Sequence, residues 1–140
     1  MSEHQLSRRQ FISRTGSLAG ALGLVPLIQG CGSSAESKSD DLEIEMNDEF
    51  GFEPKELTIE VGQTVTWKNV GKMVHTSTND PAKAQKTEHS VLPQGAPAWD
   101  SGLLRAGQTW THTFDVAGDY SYFCIPHESM NMVGKIVVKS

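Results

Sequence analysis

The sequence predicts an all-β domain over residues 42–140, a Greek-key β-sandwich of about seven or eight strands. Three observations carry this reading. From residue 42 the chain breaks into short runs rich in Val, Ile, Thr and aromatics that alternate apolar with polar, the period of a half-buried strand. Gly, Asn, Asp and Pro punctuate those runs at Gly62-Gln63, Asn69-Val70-Gly71, Ala106-Gly107 and Ala117-Gly118-Asp119, where successive strands need turns. Tyr120 follows the last of these turns, a placement that suits a tyrosine whose hydroxyl pins a sandwich corner. A domain of this size buries a little over roughly 60% of the surface its unfolded chain exposes, so it can fold without a disulfide.

Ahead of the domain, residues 1–30 read as an export signal. Arg8 and Arg9 precede Phe11 and Ile12, and "GSLAGALGLVPLI" follows. That stretch falls short of the roughly 20 apolar residues a membrane-spanning helix needs. A basic start, an arginine pair and a short Gly-containing apolar run point to the Tat route. Cys31, after Gly30, resembles the processed and acylated first residue of a lipoprotein, although Gln29 stands where a small residue is more usual. Such a lipid would tether the protein to a membrane surface outside the cytoplasm while the domain stays in water. Residues 31–41 are Ser-rich and otherwise small or charged and read as a flexible linker, having too little apolar surface to fold.

The strands follow in order: "LEIEM" from Leu42, "ELTIEV" from Glu56, "TVTWKNV" from Thr64, "VHTSTN" from Val74, "TWTHTF" from Thr109, "YSYF" from Tyr120 and "KIVVK" from Lys135. In "TWTHTF" the alternation places Trp110, His112 and Phe114 on one face, which makes His112 a packed core residue. Residues 80–100, "DPAKAQKTEHSVLPQGAPAWD", lack strand alternation and are expected to be irregular, with a helical turn near 81–89. His89 within them is expected to be exposed and without function.

Chemistry concentrates in one loop, "YFCIPHESMNM" from Tyr122, which holds Cys124, His127 and two methionines. The chain has two cysteines, Cys31 and Cys124, and an exported protein with two first suggests a disulfide. If Cys31 is acylated, Cys124 is left alone in an oxidising compartment, where binding a metal would protect it. Thiolate, imidazole and thioether form a soft donor set that selects copper over calcium, magnesium or manganese, and two histidines, a cysteine and a weak axial methionine make a blue-copper site. The second histidine must come from outside the loop. His75 is the best candidate, because it follows a Gly-bearing turn in "GKMVHTSTND" and opens a strand; His89 and His112 read as surface and core.

"VHTS" together with "GDYSYFCIPHESMNMVGKIVV" resembles the cupredoxins, small blue-copper electron carriers, and within them plastocyanin and halocyanin, over about residues 42–140. The resemblance implies the cupredoxin fold, one copper per chain, and the metal ligands His75, Cys124, His127 and Met132. It also separates the methionines. Plastocyanin-like loops place four residues between His and Met and amicyanin-like loops two, spacings that fit Met132 and Met130 respectively. Because Met132 directly precedes "VGKIVV", strand register favours Met132 and leaves Met130 at the surface. The resemblance further implies that the Thr76 backbone N–H donates to the cysteine sulfur, that electrons cross at the edge of His127, and that Met73, Val74, Pro126 and Met130 form an apolar docking patch. Phe123 stands where plastocyanins commonly carry a tyrosine.

These features imply a one-electron carrier, not an enzyme. A copper enzyme would need further His-rich sites, and a binuclear copper domain a second loop cysteine where Glu128 stands. The alternative is a copper- or zinc-binding or delivery module without electron transfer. From Cys31 onward the chain holds nine Lys/Arg against sixteen Asp/Glu, a formal charge of −7. This speaks against nucleic acid and for redox protein partners, a cytochrome or membrane electron-transfer complex, met by a monomer.

Overall fold

The computed structural model describes residues 42–140. The expected signal, Cys31 and the linker through residue 41 lie outside the described residues. Nine strands run in order: β1 (Glu43–Asn47), β2 (Gly51–Glu53), β3 (Glu56–Glu60), β4 (Thr64–Asn69), β5 (Thr78–Asn79), β6 (Trp99–Asp100), β7 (Thr109–Thr113), β8 (Gly118–Phe123) and β9 (Val133–Lys139). They form two sheets, ordered β2-β1-β4-β7 and β3-β9-β8-β5-β6. The pairs β1–β4 and β3–β9 are parallel and the others antiparallel. The all-β sandwich expected from the sequence is therefore present. The strand count exceeds the expectation because β2 and β6 are too short for an alternation to show.

Burial follows the period of two. In β4, Val65, Trp67 and Asn69 turn inward; in β9, Gly134, Ile136 and Val138 do. The resulting core is aromatic, with Trp67 fully buried against Trp110 and Tyr122, each at 5.5 Å between ring centroids. Gly134 admits the Tyr122 ring, because any side chain there would collide with the phenol. Tyr120 donates its hydroxyl to the Val116 carbonyl at 2.6 Å, the corner bond expected. His112 packs as expected too, half-buried, 4.8 Å from Trp99 and 5.7 Å from Trp110.

The run "VHTSTN" departs from its expected strand. Only Thr78 and Asn79 are ladder-paired, yet His75 through Asn79 are all buried. The reason is that residues 80–101 cover it, so its polar groups find partners within the protein. The Ser77 N–H donates to Ser101 Oγ at 2.8 Å, and Asn79 Nδ2 donates to the carbonyls of Val91 and Ser121 at 2.8 and 2.7 Å. Residues 80–98 are irregular as expected, with one short helical turn, Thr87–His89, but Trp99 and Asp100 at the end of the segment form β6 and pair with β5.

Candidate metal centre

Two segments far apart in sequence meet at this site. The first is the turn after β4. Asn69 is fully buried, and its Nδ2 donates to the carbonyls of Met73 and Leu104 at 2.7 and 2.9 Å while its Oδ1 accepts from Gly71 at 2.9 Å. His75 follows, with its N–H on the Leu104 carbonyl at 3.1 Å and its carbonyl taking the Leu104 N–H at 2.8 Å. The backbone of this histidine is thus clamped on both sides, and its ring is fully buried.

The second segment leaves β8 at Phe123 and returns as β9. Pro126 opens a short helical stretch, Ile125–Met130, that ends at Asn131 in the left-handed region, φ +62°, a conformation an asparagine tolerates. The ends of the loop are fastened by Cys124 N–H on the Met132 carbonyl at 3.1 Å and Met132 N–H on the His127 carbonyl at 3.3 Å. Met132 is fully buried and Met130 is 53% exposed.

The segments bring three donors together. Cys124 Sγ lies 3.7 Å from His75 Nδ1 and 3.4 Å from His127 Nδ1. All three donor atoms fall within 4.8 Å of one another, and each residue is buried. Thr76 couples the segments twice. Its N–H donates to Cys124 Sγ at 3.3 Å, as expected, and its hydroxyl accepts from the Ile125 N–H at 2.8 Å. The threonine hydroxyl thus locks the loop to the His75 segment from a side chain. Phe50, in the turn between β1 and β2 at φ +60°, lays its ring 4.9 Å from that of His127.

Copper fits this arrangement on two observations. A thiol has one proton, so it can satisfy only one of two imidazole nitrogens aimed at it, whereas a soft cation satisfies all three atoms. Burial also pushes the Cys124 thiol up and both imidazoles down, with the His127 charge adding to the effect on His75. The donors therefore stay uncharged until a cation displaces the thiol proton. Sulfur with two nitrogens is a soft set suited to copper.

His89 requires a correction. It is not an exposed surface residue: it is 6% exposed, and its Nδ1 sits 2.9 Å from Glu128 Oε1. Glu128, beside His127 in the loop, also accepts the N–H groups of Gln85 and Lys86 at 2.9 and 3.1 Å. Burial alone would raise Glu128, but the Gln85 N–H, the His89 ring and the Lys86 N–H outweigh it and hold the carboxyl below its usual value. A sequence reading misses this because His89 belongs to no motif and its partner stands 39 residues further on. Asn69 and Phe50 were missed for the same reason.

A family model described as copper binding proteins, plastocyanin/azurin family, matches residues 38–139. The chloroplastic plastocyanin of Tetradesmus obliquus is 37% identical over 92 residues, covering 63% of this chain and 58% of that one. The plastocyanin of Nostoc punctiforme is 38% identical over 101 residues, covering 64% and 66%. The chain thus spans somewhat less than two thirds of the length of either relative. Among solved structures, an oxidized amicyanin mutant aligns with a TM-score of 0.56 at 28% identity, covering 75% of this chain and 88% of that one. With the match extending over nearly the whole described region, the chain belongs to the plastocyanin/azurin family of copper binding proteins.

Proposed function

We propose that the protein is a one-electron carrier whose copper is held by His75, Cys124 and His127, with Met132 as a weak fourth ligand. The observation that supports this most directly is the convergence of the Cys124, His75 and His127 donor atoms in a buried, cross-braced pocket. Bound copper would supply the Cu(II)/Cu(I) couple. Cys124 provides the thiolate, and the Thr76 N–H steadies that sulfur in both states. His75 and His127 would supply the two nitrogen donors. Burial keeps water from the donors, and the backbone clamps on His75 and the loop resist rearrangement as charge changes.

His127 is 6% exposed, and around the site Met73, Val74, Ile125 and Met130 are exposed, at 36% to 53%. This apolar rim suits brief docking by a redox protein. Ile125 joins the patch expected from sequence. The chain's relatives named plastocyanin support the same assignment. Among the described residues, no helix is long and apolar enough to cross a membrane.

We further propose that residues 1–30 direct Tat export, that Cys31 carries a lipid, and that residues 31–41 tether a monomeric domain, residues 42–140, at the membrane surface outside the cytoplasm. Mass spectrometry of the membrane-bound protein should find acylated Cys31 as the first residue; an unmodified or different terminus would refute it. For the redox function, the full chain is loaded with Cu(II) and titrated with a reductant. The expected result is an intense visible band bleached by one electron per chain and restored on reoxidation. A colourless copper protein, or one that releases its copper on reduction, would make it a binding or delivery module instead.

A further inference from the structure

We propose that Asp48 is a positioning residue for His75: it orients the imidazole so that Nδ1 faces Cys124, and its charge biases the site toward Cu(II). The inference rests on His75 being a copper ligand, as proposed above. Asp48 lies in the turn between β1 and β2. Its carboxylate accepts the Lys72 N–H at 3.0 and 2.8 Å and the Met73 N–H at 2.9 Å. Gly71 makes this possible, since a side chain there would collide with the carboxylate. The loop leading to His75 is thereby wrapped around one charged group.

That group faces the back of the ligand ring. Asp48 Oδ1 is 3.6 Å from His75 Nε2, which is fully buried and has no hydrogen-bond partner. The separation exceeds a hydrogen bond, yet it is short enough for the charge to orient a buried dipole. A neutral imidazole carries one N–H. The carboxylate favours it on Nε2, which leaves the Nδ1 lone pair facing Cys124 Sγ, 3.7 Å away. A fixed negative charge beside a ligand also stabilises the more highly charged metal state. Because the Asp48 side chain is 38% exposed, solvent screens part of the effect.

The test uses the full chain with Asp48→Asn, which keeps an acceptor for the Lys72 and Met73 N–H groups but removes the charge, and Asp48→Ala, which removes both. The visible band should persist in Asp48→Asn while the reduction potential rises and Cu(II) retention against a chelator weakens about tenfold. In copper-free wild type, nitrogen NMR of the His75 ring should find the proton on Nε2. Asp48→Ala should in addition lower thermal stability by releasing the loop. An unchanged or lowered potential in Asp48→Asn, or a proton on Nδ1 in the copper-free wild type, would overturn the proposal. Failure of wild type to form the coloured site would instead count against the reading of the site, and the NMR measurement would still decide the orientation.

Discussion

The two segments that form the donor cluster are braced in different ways. The His75 segment is held by backbone pairing with Leu104, by buried Asn69 from within, and by Asp48, a carboxylate at the surface. The loop from Cys124 to Met132 closes on itself through backbone bonds and leans on Glu128, a buried carboxylate that also collects residues 85–89. Thr76 ties the two segments together twice, through its N–H and its hydroxyl. The difference teaches that the loop carries most of the donors and fastens itself through its own backbone bonds, gathering one irregular segment onto Glu128, whereas the single histidine is positioned by residues drawn from other parts of the chain, Leu104, Asn69 and Asp48.

Substitutions can break this comparison. The largest effect is expected from Cys124→Ser in the copper-loaded protein: the visible band should vanish, since serine offers no soft sulfur. Next, Glu128→Ala strands the Gln85 and Lys86 N–H groups and the His89 ring, and should lower unfolding free energy by about 2–4 kcal/mol in urea melts of the copper-free chain. A much smaller loss would mean that residues 85–89 do not support the loop. Thr76→Val keeps the N–H on the sulfur but removes the acceptor for Ile125. It should cost about 1 kcal/mol in the same melts while the band remains, so loss of colour would show that the hydroxyl does more than fasten.

The pH dependence sharpens the contrast with a group outside both segments. Burial holds His112 below 6.5, its ordinary value. Its folded-state value is the depressed one, so the stability it contributes is complete above 6.5 and is lost as pH falls through the lower folded value. Thermal melts of copper-free protein should show that loss in wild type and not in His112→Phe. The smallest effect is expected from Met130→Ala, which should leave both stability and colour unchanged because the side chain is 53% exposed; a bleached site would overturn the choice of Met132.

The sandwich was legible because period-two alternation and turn residues are local signals, as in β4 and β9. Cys124 and His127 were legible because they share one short loop with close spacing, and His75 because a turn precedes it. What escaped was the support. Asp48 stands 27 residues before His75 and His89 stands 39 before Glu128, and such pairings are set by how the turns fold back. His89 was misjudged because its surrounding segment is polar; its burial comes from one carboxylate in a loop that the segment meets only in the folded chain.

The most direct test of the central claim is X-ray absorption at the copper edge of the Cu(II)-loaded full chain, compared with Cys124→Ser. The account predicts one short copper–sulfur bond beside two imidazole nitrogens in wild type, with that sulfur lost in the variant. Copper surrounded only by nitrogen and oxygen, or an identical spectrum in both proteins, would contradict it.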